Sequence, residues 1–287
     1  MPKKSMVYRL LSIETTKKAV TVFIAIIIAI VTIKPVLASD SDDGIAGRVP
    51  QLLTATSDRN SKISDCTLGN AVADAVCLAL DSDIAIICGG DLLKNLLPGE
   101  ITWASLRATF PEDRRLATAV ITSNELLNIL ERGLSRITLN DEERIDAIAS
   151  EYDGFPQISG FTVIYDATAP VGGRVLEIKI GEHVLDVGNN TYNIKLAATK
   201  HMLEGGYGLP PVEEDIVVSE ITLSIAFAAY MKNGMPDYRE TTPRVIPIGI
   251  QGGTLSERFP FVMVIVIILI IILGNGQRFR RKFDHKI

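Results

Sequence analysis

Two long apolar runs, one near each end of the chain, constrain this sequence more than any other feature. Residues 19–33 carry no charge, and a second apolar run extends from Phe259 to Gly274. A run of about 20 apolar residues can span a bilayer as a helix, and a shorter run can form the core of a signal peptide. We therefore expect membrane-associated ends and a separate folded middle.

The first run permits two interpretations. Small residues at Val36-Leu37-Ala38 favour cleavage, which would make 19–38 a signal peptide. The basic lead, residues 1–18, is long for a signal peptide and suits an uncleaved transmembrane anchor instead. Both interpretations stay open.

The second run predicts a transmembrane helix over 259–274. Residues 262–273 have no polar face, and a basic segment begins at Gln277. A helix at the surface of a soluble domain would show a polar face, and positive charge after a span marks the cytoplasmic side. The tails 1–18 and 275–287 are therefore expected in the cytoplasm, and residues 40–257 outside it.

The middle of the chain is acidic. The formal net charge is −5, and each tail holds five basic residues and one acidic residue, so residues 19–274 carry −13. Proteins that bind nucleic acid without sequence preference need a basic surface to displace counterions. The charge distribution therefore excludes this class of partner.

The middle is expected to form one domain over 63–250, between polar linkers at 39–62 and 251–258. Apolar spacing predicts helices and short strands that alternate along this stretch. The helices are expected over 67–80, 124–134 and 216–232, and the strands over 83–88, 116–121, 158–165, 174–180 and 191–197. The fold class is therefore α/β of the α+β type, a mixed β-sheet flanked by helices.

The three cysteines, Cys66, Cys77 and Cys88, are most simply buried apolar residues. If Cys66 and Cys77 lie on one helix, their separation is about 16 Å, which is too far for a disulfide or a shared zinc ion. The sequence does not supply the distance between Cys66 and Cys88, so a bridge between them stays open.

Six motifs occur in order between residues 60 and 215, and together they carry a resemblance. They are Asp65-Cys-Thr-Leu-Gly-Asn-Ala-Val-Ala-Asp74, Ala85-Ile-Ile-Cys-Gly-Gly90, Leu97-Pro-Gly-Glu-Ile-Thr102, 122–131, Gln157-Ile-Ser-Gly-Phe161 and Gly205-Gly-Tyr-Gly208. The series resembles the C-terminal, substrate-binding domain of the 5′-nucleotidase family. Similar stretches there read LGNLVADA, NGGGIR, LPAGPIT, LTGxELLxxLE, FLQVSGL and GGDGF.

The resemblance extends to the C-terminal domain only. Members of that family carry a metallophosphoesterase domain in front, which holds two metal ions. No Asp-x-His or Gly-Asn-His-Asp pattern occurs in this sequence, and its histidines are His183, His201 and His285. Two metal ions need several converging histidines and carboxylates. We therefore expect no catalytic residue, metal or cofactor here.

The resemblance also implies that the phosphate-binding groups are lost. In the family, one arginine before the LGN motif and another at the end of NGGGIR bind the phosphate. The matching positions here are Ser64 and Leu93. The asparagine of NGGGIR, which contacts the base, is replaced by Cys88, and the glycine after the pair by Asp91.

The two aromatic rings that enclose the base in the family are lost as well. They come from an LPFGN segment and from GGDGF, and they match Glu112 and Leu209. Tyr207 or Phe110 could stack on a base only if the loops shift in register. A site without these groups should not hold a nucleotide appreciably.

Two functions therefore remain open. The first is a membrane-anchored, extracytoplasmic module for binding or interaction, which has kept the fold and lost the pocket. The second is the substrate-binding half of a split nucleotide or UDP-sugar hydrolase, completed by a separate metallophosphoesterase protein. The sequence does not identify a small-molecule ligand.

Overall fold

The structure, a computed structural model, describes residues 44–250 except 57–59, 111, 187–192 and 240–241. Both tails, both apolar runs and the second linker lie outside the described residues, so the predictions for them remain predictions. Within the described ranges, no helix has the length and apolar character to cross a membrane.

Eleven strands and five helices are found in the described residues. The strands are β1 Ile45–Val49, β2 Ile84–Cys88, β3 Gly99–Thr102, β4 Arg115–Ile121, β5 Pro156–Ser159, β6 Phe161–Asp166, β7 Val175–Ile180, β8 His183–Val184, β9 Ile194–Thr199, β10 Val217–Thr222 and β11 Val245–Ile248. The helices are α1 Thr67–Ala79, α2 Trp103–Thr109, α3 Ser123–Gly133, α4 Lys200–Leu203 and α5 Leu223–Lys232.

A five-stranded sheet lies at the centre, in the order β10-β4-β9-β2-β5. Strands β2 and β9 run parallel and the other neighbours run antiparallel, so the sheet is mixed, as predicted. All five residues of β2 are buried, which explains its continuous apolar sequence.

Both faces of the central sheet are buried. One face, with Ala85, Ile87 and Leu116, belongs to a core that includes α1 and α5. The other face belongs to a second core with α3 and a four-stranded sheet in the order β11-β6-β7-β8. The fold thus contains mixed sheets flanked by helices, although the sequence predicted a single sheet.

The prediction of a linker over 39–62 is wrong for much of the part of this segment that the structure describes. Strand β1 pairs antiparallel with β3, and Leu53 exchanges two backbone hydrogen bonds of 2.9 Å with Leu96. Gly47, one of the glycines that suggested a linker, has a packing role, since a Cβ atom there would lie 2.7 Å from Cβ of Met231 in α5. The domain therefore begins at about residue 45.

The helix predicted over 216–232 is two elements. Its first part is strand β10, which pairs with β4, and only Leu223–Lys232 is helical. Asp113 marks the boundary, because its carboxylate accepts hydrogen bonds from the Ser224 amide (3.0 Å) and the Thr222 hydroxyl (3.1 Å). This contact joins residues far apart in sequence and gave no local signal.

Helix α1 begins at the LGN motif and rests on Gln157. Cys66 caps the helix, with Sγ accepting a hydrogen bond from the Gly69 amide (3.3 Å). The Gln157 side chain accepts one from the Cys66 amide (3.1 Å) and donates to the Ser61 and Ser64 carbonyls (2.8 and 2.9 Å). No disulfide bridge joins Cys66 and Cys88.

Replacing Gly69 with alanine should destabilise the fold. The new Cβ atom would lie 2.0 Å from Oε1 of Gln157, so the buried amide would have to move and lose its hydrogen bonds. We expect a loss of about 2 kcal/mol in the free energy of unfolding, measured with urea. Gly173→Ala is the control, because its Cβ would meet only the Pro170 carbonyl oxygen at 3.8 Å. Equal effects of the two changes would contradict this role of Gly69.

Candidate functional site

Three loops converge at one end of the central sheet, and each contributes one polar side chain. Asp91 follows β2, Arg114 precedes β4, and Tyr207 lies in the glycine-rich turn after α4. Nε of Arg114 donates to Oδ1 of Asp91 (3.0 Å), and the Tyr207 hydroxyl donates to the same oxygen (2.8 Å). The Arg114 guanidinium also lies 5.5 Å from the centre of the Tyr207 ring. We call these three residues the Asp91 triad.

The local backbone explains why the glycines beside the triad are needed. A Cβ atom at Gly89 would lie 2.1 Å from the Ser61 carbonyl oxygen, so the turn after β2 can approach that segment only with glycine there. Tyr207 itself has a left-handed backbone, with φ of 57°. Such a conformation is uncommon for a tyrosine and costs free energy that the surrounding contacts must offset.

Two further contacts hold Tyr207 in place. The Tyr152 hydroxyl donates to its carbonyl oxygen (2.6 Å). His201 contacts its ring edge to face, with 5.0 Å between the ring centres. His201 is therefore partly buried, and its ring packs against the triad.

Burial dominates the electrostatics of the triad. The Asp91 side chain is only 1% exposed, and this burial raises its pKa to about 6 although Tyr207 and Arg114 both favour the ionised form. Burial and the neighbouring Asp91 raise the pKa of Tyr207. An ionised Asp91 is thus held in the interior by one arginine and one tyrosine hydroxyl.

This pKa predicts a pH dependence of stability. The folded protein binds the Asp91 proton more tightly than the unfolded chain, whose carboxyl has the ordinary pKa of 3.8. Protonation of Asp91 therefore stabilises the fold. As the pH rises from about 4 to about 6, this contribution to the free energy of unfolding is lost, and the loss is about 3 kcal/mol at most. The difference in unfolding free energy between wild type and Asp91→Asn should fall over this range and then level off. If this difference between wild type and Asp91→Asn stays constant from pH 4 to 7, the pKa of Asp91 is not raised in the folded protein.

A small cavity lies beside the triad. It measures ≈ 10 Å³ and is lined in part by Asp91, Phe110, Glu112 and Arg114, which is room for about one water molecule. Oδ2 of Asp91 has no hydrogen-bond partner among the described residues. This cavity is far smaller than a nucleoside.

The two positions matched to phosphate-binding arginines lie in different settings. Ser64 is partly buried, and its carbonyl oxygen accepts from Gln157 (2.9 Å). Leu93 is 43% exposed, and its amide bonds to the Thr109 carbonyl. Cys88 is buried at the end of β2, directly before the turn that holds Asp91, and burial raises the pKa of its thiol.

The positions matched to the aromatic rings do not form a base-binding cleft. Glu112 is exposed at the cavity, whereas Leu209 is 4% exposed and belongs to the second core. Phe110, considered as a replacement ring, is 1% exposed and packs edge to face on Phe227. Tyr207 is the candidate ring that belongs to the Asp91 triad, and its hydroxyl donates a hydrogen bond to Asp91.

Sequence reasoning missed Arg114. Arg114 lies two residues after Glu112, the position matched to one of the family's aromatic rings. The residues next to it in sequence gave no sign of a carboxylate partner, because Asp91 is 23 residues away. The sequence did carry one signal, an acid at Asp91 and a base at Arg114 in place of uncharged family residues, but it does not show that these two loops meet.

A second network joins α1 to the end of the domain. Asp74 accepts hydrogen bonds from Ser159 (2.5 Å), Tyr238 (2.6 Å) and both terminal nitrogens of Arg244 (2.6 and 2.8 Å). Arg244 immediately precedes β11, which runs parallel to β6. This network fastens the C-terminal segment to α1.

No group of three or more His, Cys, Asp or Glu side chains that could hold a metal ion occurs in the described part of the chain. The expectation of no metal and no cofactor therefore stays an expectation.

Comparison with known proteins agrees with this architecture. Residues 45–214 match the family described as 5′-nucleotidase, C-terminal domain. The chain is 27% identical over 153 residues to the trifunctional nucleotide phosphoesterase protein YfkN of Bacillus subtilis, covering 50% of this chain and 10% of that protein. It is 27% identical over 122 residues to the endonuclease YhcR of the same organism, covering 42% and 9%. The chain thus spans about a tenth of these relatives.

Solved structures show the same fold. A 5′-nucleotidase precursor from Thermus thermophilus superposes with a TM-score of 0.62 at 18% identity, covering 79% of this chain and 43% of that one. A putative 5′-nucleotidase from Staphylococcus aureus gives 0.61 at 14% identity, covering 72% and 41%. The family match extends over more than half of the sequence, and the chain therefore belongs to the 5′-nucleotidase C-terminal domain family.

Proposed function

We propose that this protein is a membrane-anchored, extracytoplasmic module of the 5′-nucleotidase C-terminal family that does not catalyse hydrolysis by itself and serves in binding or interaction. Its fold is retained, and the pocket that holds a nucleotide in the family is filled by its own side chains. The two curated relatives described above are a nucleotide phosphoesterase and an endonuclease, which supports a context of nucleotide breakdown.

The observation that carries this proposal is the Asp91 triad. By position, Asp91 stands for the third glycine of NGGGIR, Arg114 for the asparagine of LPFGN, and Tyr207 for the aspartate of GGDGF. These three substitutions meet in one hydrogen-bonded group. The Asp91 carboxylate neutralises the charge of Arg114, which an incoming anion would otherwise contact. The Tyr207 hydroxyl occupies the space beside the same carboxylate.

The loss of the family's ligand-binding groups supports the same function. Neither Ser64 nor Leu93 can form charge-assisted hydrogen bonds to a phosphate, and neither Glu112 nor Leu209 can stack on a base. Each missing contact is worth about 1–3 kcal/mol. A nucleotide would also have to displace the triad before it could enter.

The membrane part of the proposal is based on sequence alone. The run from Phe259 to Gly274 follows the domain closely and precedes the basic residues Arg278, Arg280, Arg281 and Lys282. Such a sequence is typical of a span that stops on the cytoplasmic side.

One preparation tests both parts. Membranes from cells that express the full chain are washed with alkaline carbonate, and the protein is then extracted with detergent, purified and assayed with AMP and UDP-glucose, with and without Mg²⁺ or Mn²⁺. We expect retention in the washed membranes and no phosphate release. Metal-dependent hydrolysis that disappears when one carboxylate of the domain is replaced would contradict the non-catalytic role, and hydrolysis only after a metallophosphoesterase is added would favour the split enzyme.

A further inference from the structure

The structure places two arginines around one tyrosine ring, outside the Asp91 triad. The guanidinium carbons of Arg132 and Arg136 lie 5.9 and 6.0 Å from the centre of the Tyr152 ring. Both arginines are exposed, and Tyr152 is partly buried. Neither arginine stands at a position that the family resemblance assigns to ligand binding.

The framework of this group is fixed by hydrogen bonds. Nε of Arg132 donates to the Gly208 carbonyl (2.8 Å), which holds its guanidinium beside the ring. The Tyr152 hydroxyl donates to the Tyr207 carbonyl (2.6 Å), and the Tyr152 amide to the Lys62 carbonyl (3.1 Å). The ring and one of the two cations are therefore positioned before any ligand arrives.

In the described part of the chain, the two arginines of this group form no ion pair. No described carboxylate lies within 4.0 Å of Arg132 or Arg136, although the chain from 19 to 274 carries −13. The acidic residues on either side of Tyr152, Glu151 and Asp153, are both paired with Lys62 (3.4 and 2.8 Å). Both guanidinium groups are exposed to solvent, and neither has an ion-pair partner among the described residues.

We propose that Arg132, Arg136 and Tyr152 form a binding surface for a multiply charged oxyanion of the phosphate type. A guanidinium matches two oxygens of such a group at once, and a dianion would compensate both cations. The surface lies next to the closed pocket, because Tyr152 and Arg132 bind the carbonyl oxygens of Tyr207 and Gly208. It does not require the triad to open.

Arginine footprinting on the wild-type full chain, purified in a non-ionic detergent, tests this proposal. Phenylglyoxal modifies accessible guanidinium groups, and mass spectrometry gives the rate at each one. We expect about 10 mM inorganic phosphate to slow the modification of Arg132 and Arg136 severalfold at constant ionic strength. Arg48, exposed on β1, is the internal control and should react at an unchanged rate. Equal rates with and without phosphate at Arg132 and Arg136, or equal slowing at Arg48, would overturn the proposal.

A variant and a second source of phosphate complete the experiment. The Arg132→Gln/Arg136→Gln protein should lose any phosphate-dependent rise in melting temperature, and Arg48→Gln should keep it. If the double variant does not fold, the footprint on the wild type still decides. Micelles that contain phosphatidic acid replace free phosphate in another arm. Protection there identifies a lipid headgroup as an accepted source, and protection by free phosphate alone restricts the surface to soluble anions.

Discussion

Replacing Asp74 with alanine is expected to lower the free energy of unfolding by about 3 kcal/mol. The change leaves Arg244 without its carboxylate and removes the acceptor of the Ser159 and Tyr238 hydroxyls. The Asp74 and Arg244 side chains are 21% and 19% exposed, so solvent can compensate only part of the loss. Urea unfolding of wild type and variant measures the difference.

The control for this prediction is an ion pair at the surface. Arg115 and Glu220 join β4 to β10, but their side chains are 56% and 85% exposed. Glu220→Ala should change the unfolding free energy by less than about 1 kcal/mol. Hydrogen exchange adds a local readout, since β11 should exchange faster in Asp74→Ala. A loss of less than about 1 kcal/mol for Asp74→Ala, with unchanged exchange in β11, would show that the network does not fasten the C-terminal segment.

The second prediction concerns the proposed closure of the pocket by the Asp91 triad. Combining Asp91→Gly with Ser64→Arg, Leu93→Arg and Glu112→Phe should create measurable affinity for AMP. The first change removes the carboxylate that is hydrogen-bonded to Arg114. The other three changes introduce two guanidinium groups and one aromatic ring at the positions where the family has them. Together they could supply about 4–6 kcal/mol, which corresponds to a millimolar or somewhat smaller Kd. Leu209→Phe is left out, because Leu209 is buried in the second core and a larger side chain would overpack it.

The matched control keeps the triad. A protein with Ser64→Arg, Leu93→Arg and Glu112→Phe but with Asp91 intact has the same added contacts, so it should bind AMP at least tenfold more weakly if the triad closes the pocket. Isothermal titration of both proteins with AMP makes the comparison. Equal affinities would mean that Asp91 does not obstruct the site.

The sequence predicted the elements whose signals are local. The run from residue 83 to 88 became β2, and the Thr122–Glu125 capping box starts α3, with the Glu125 amide donating to the Thr122 hydroxyl oxygen (3.3 Å). The motif order also predicted the family. These features depend on neighbouring residues and on spacing, which a single sequence contains.

The errors arose where distant residues decide the structure. The 217–222 segment looked helical because Ile216 to Lys232 is apolar on all sides, but pairing with β4 and the Asp113 contact make it a strand. Residues 39–62 looked like a linker because they are polar and contain glycines, but Gly47 in fact lets β1 approach Met231. The proposed closure of the pocket could be predicted only as a set of losses, since the contact between Asp91 and Arg114 joins two loops that the sequence does not place together.

The most direct test of the account is a calorimetric titration of the wild-type protein with AMP at pH 7.5, where Asp91 is ionised. If the Asp91 triad fills the pocket, no binding heat should appear up to about 10 mM AMP, which places any Kd above the millimolar range. Saturable binding with a micromolar Kd would mean that the pocket is open to nucleotides, and it would contradict the account.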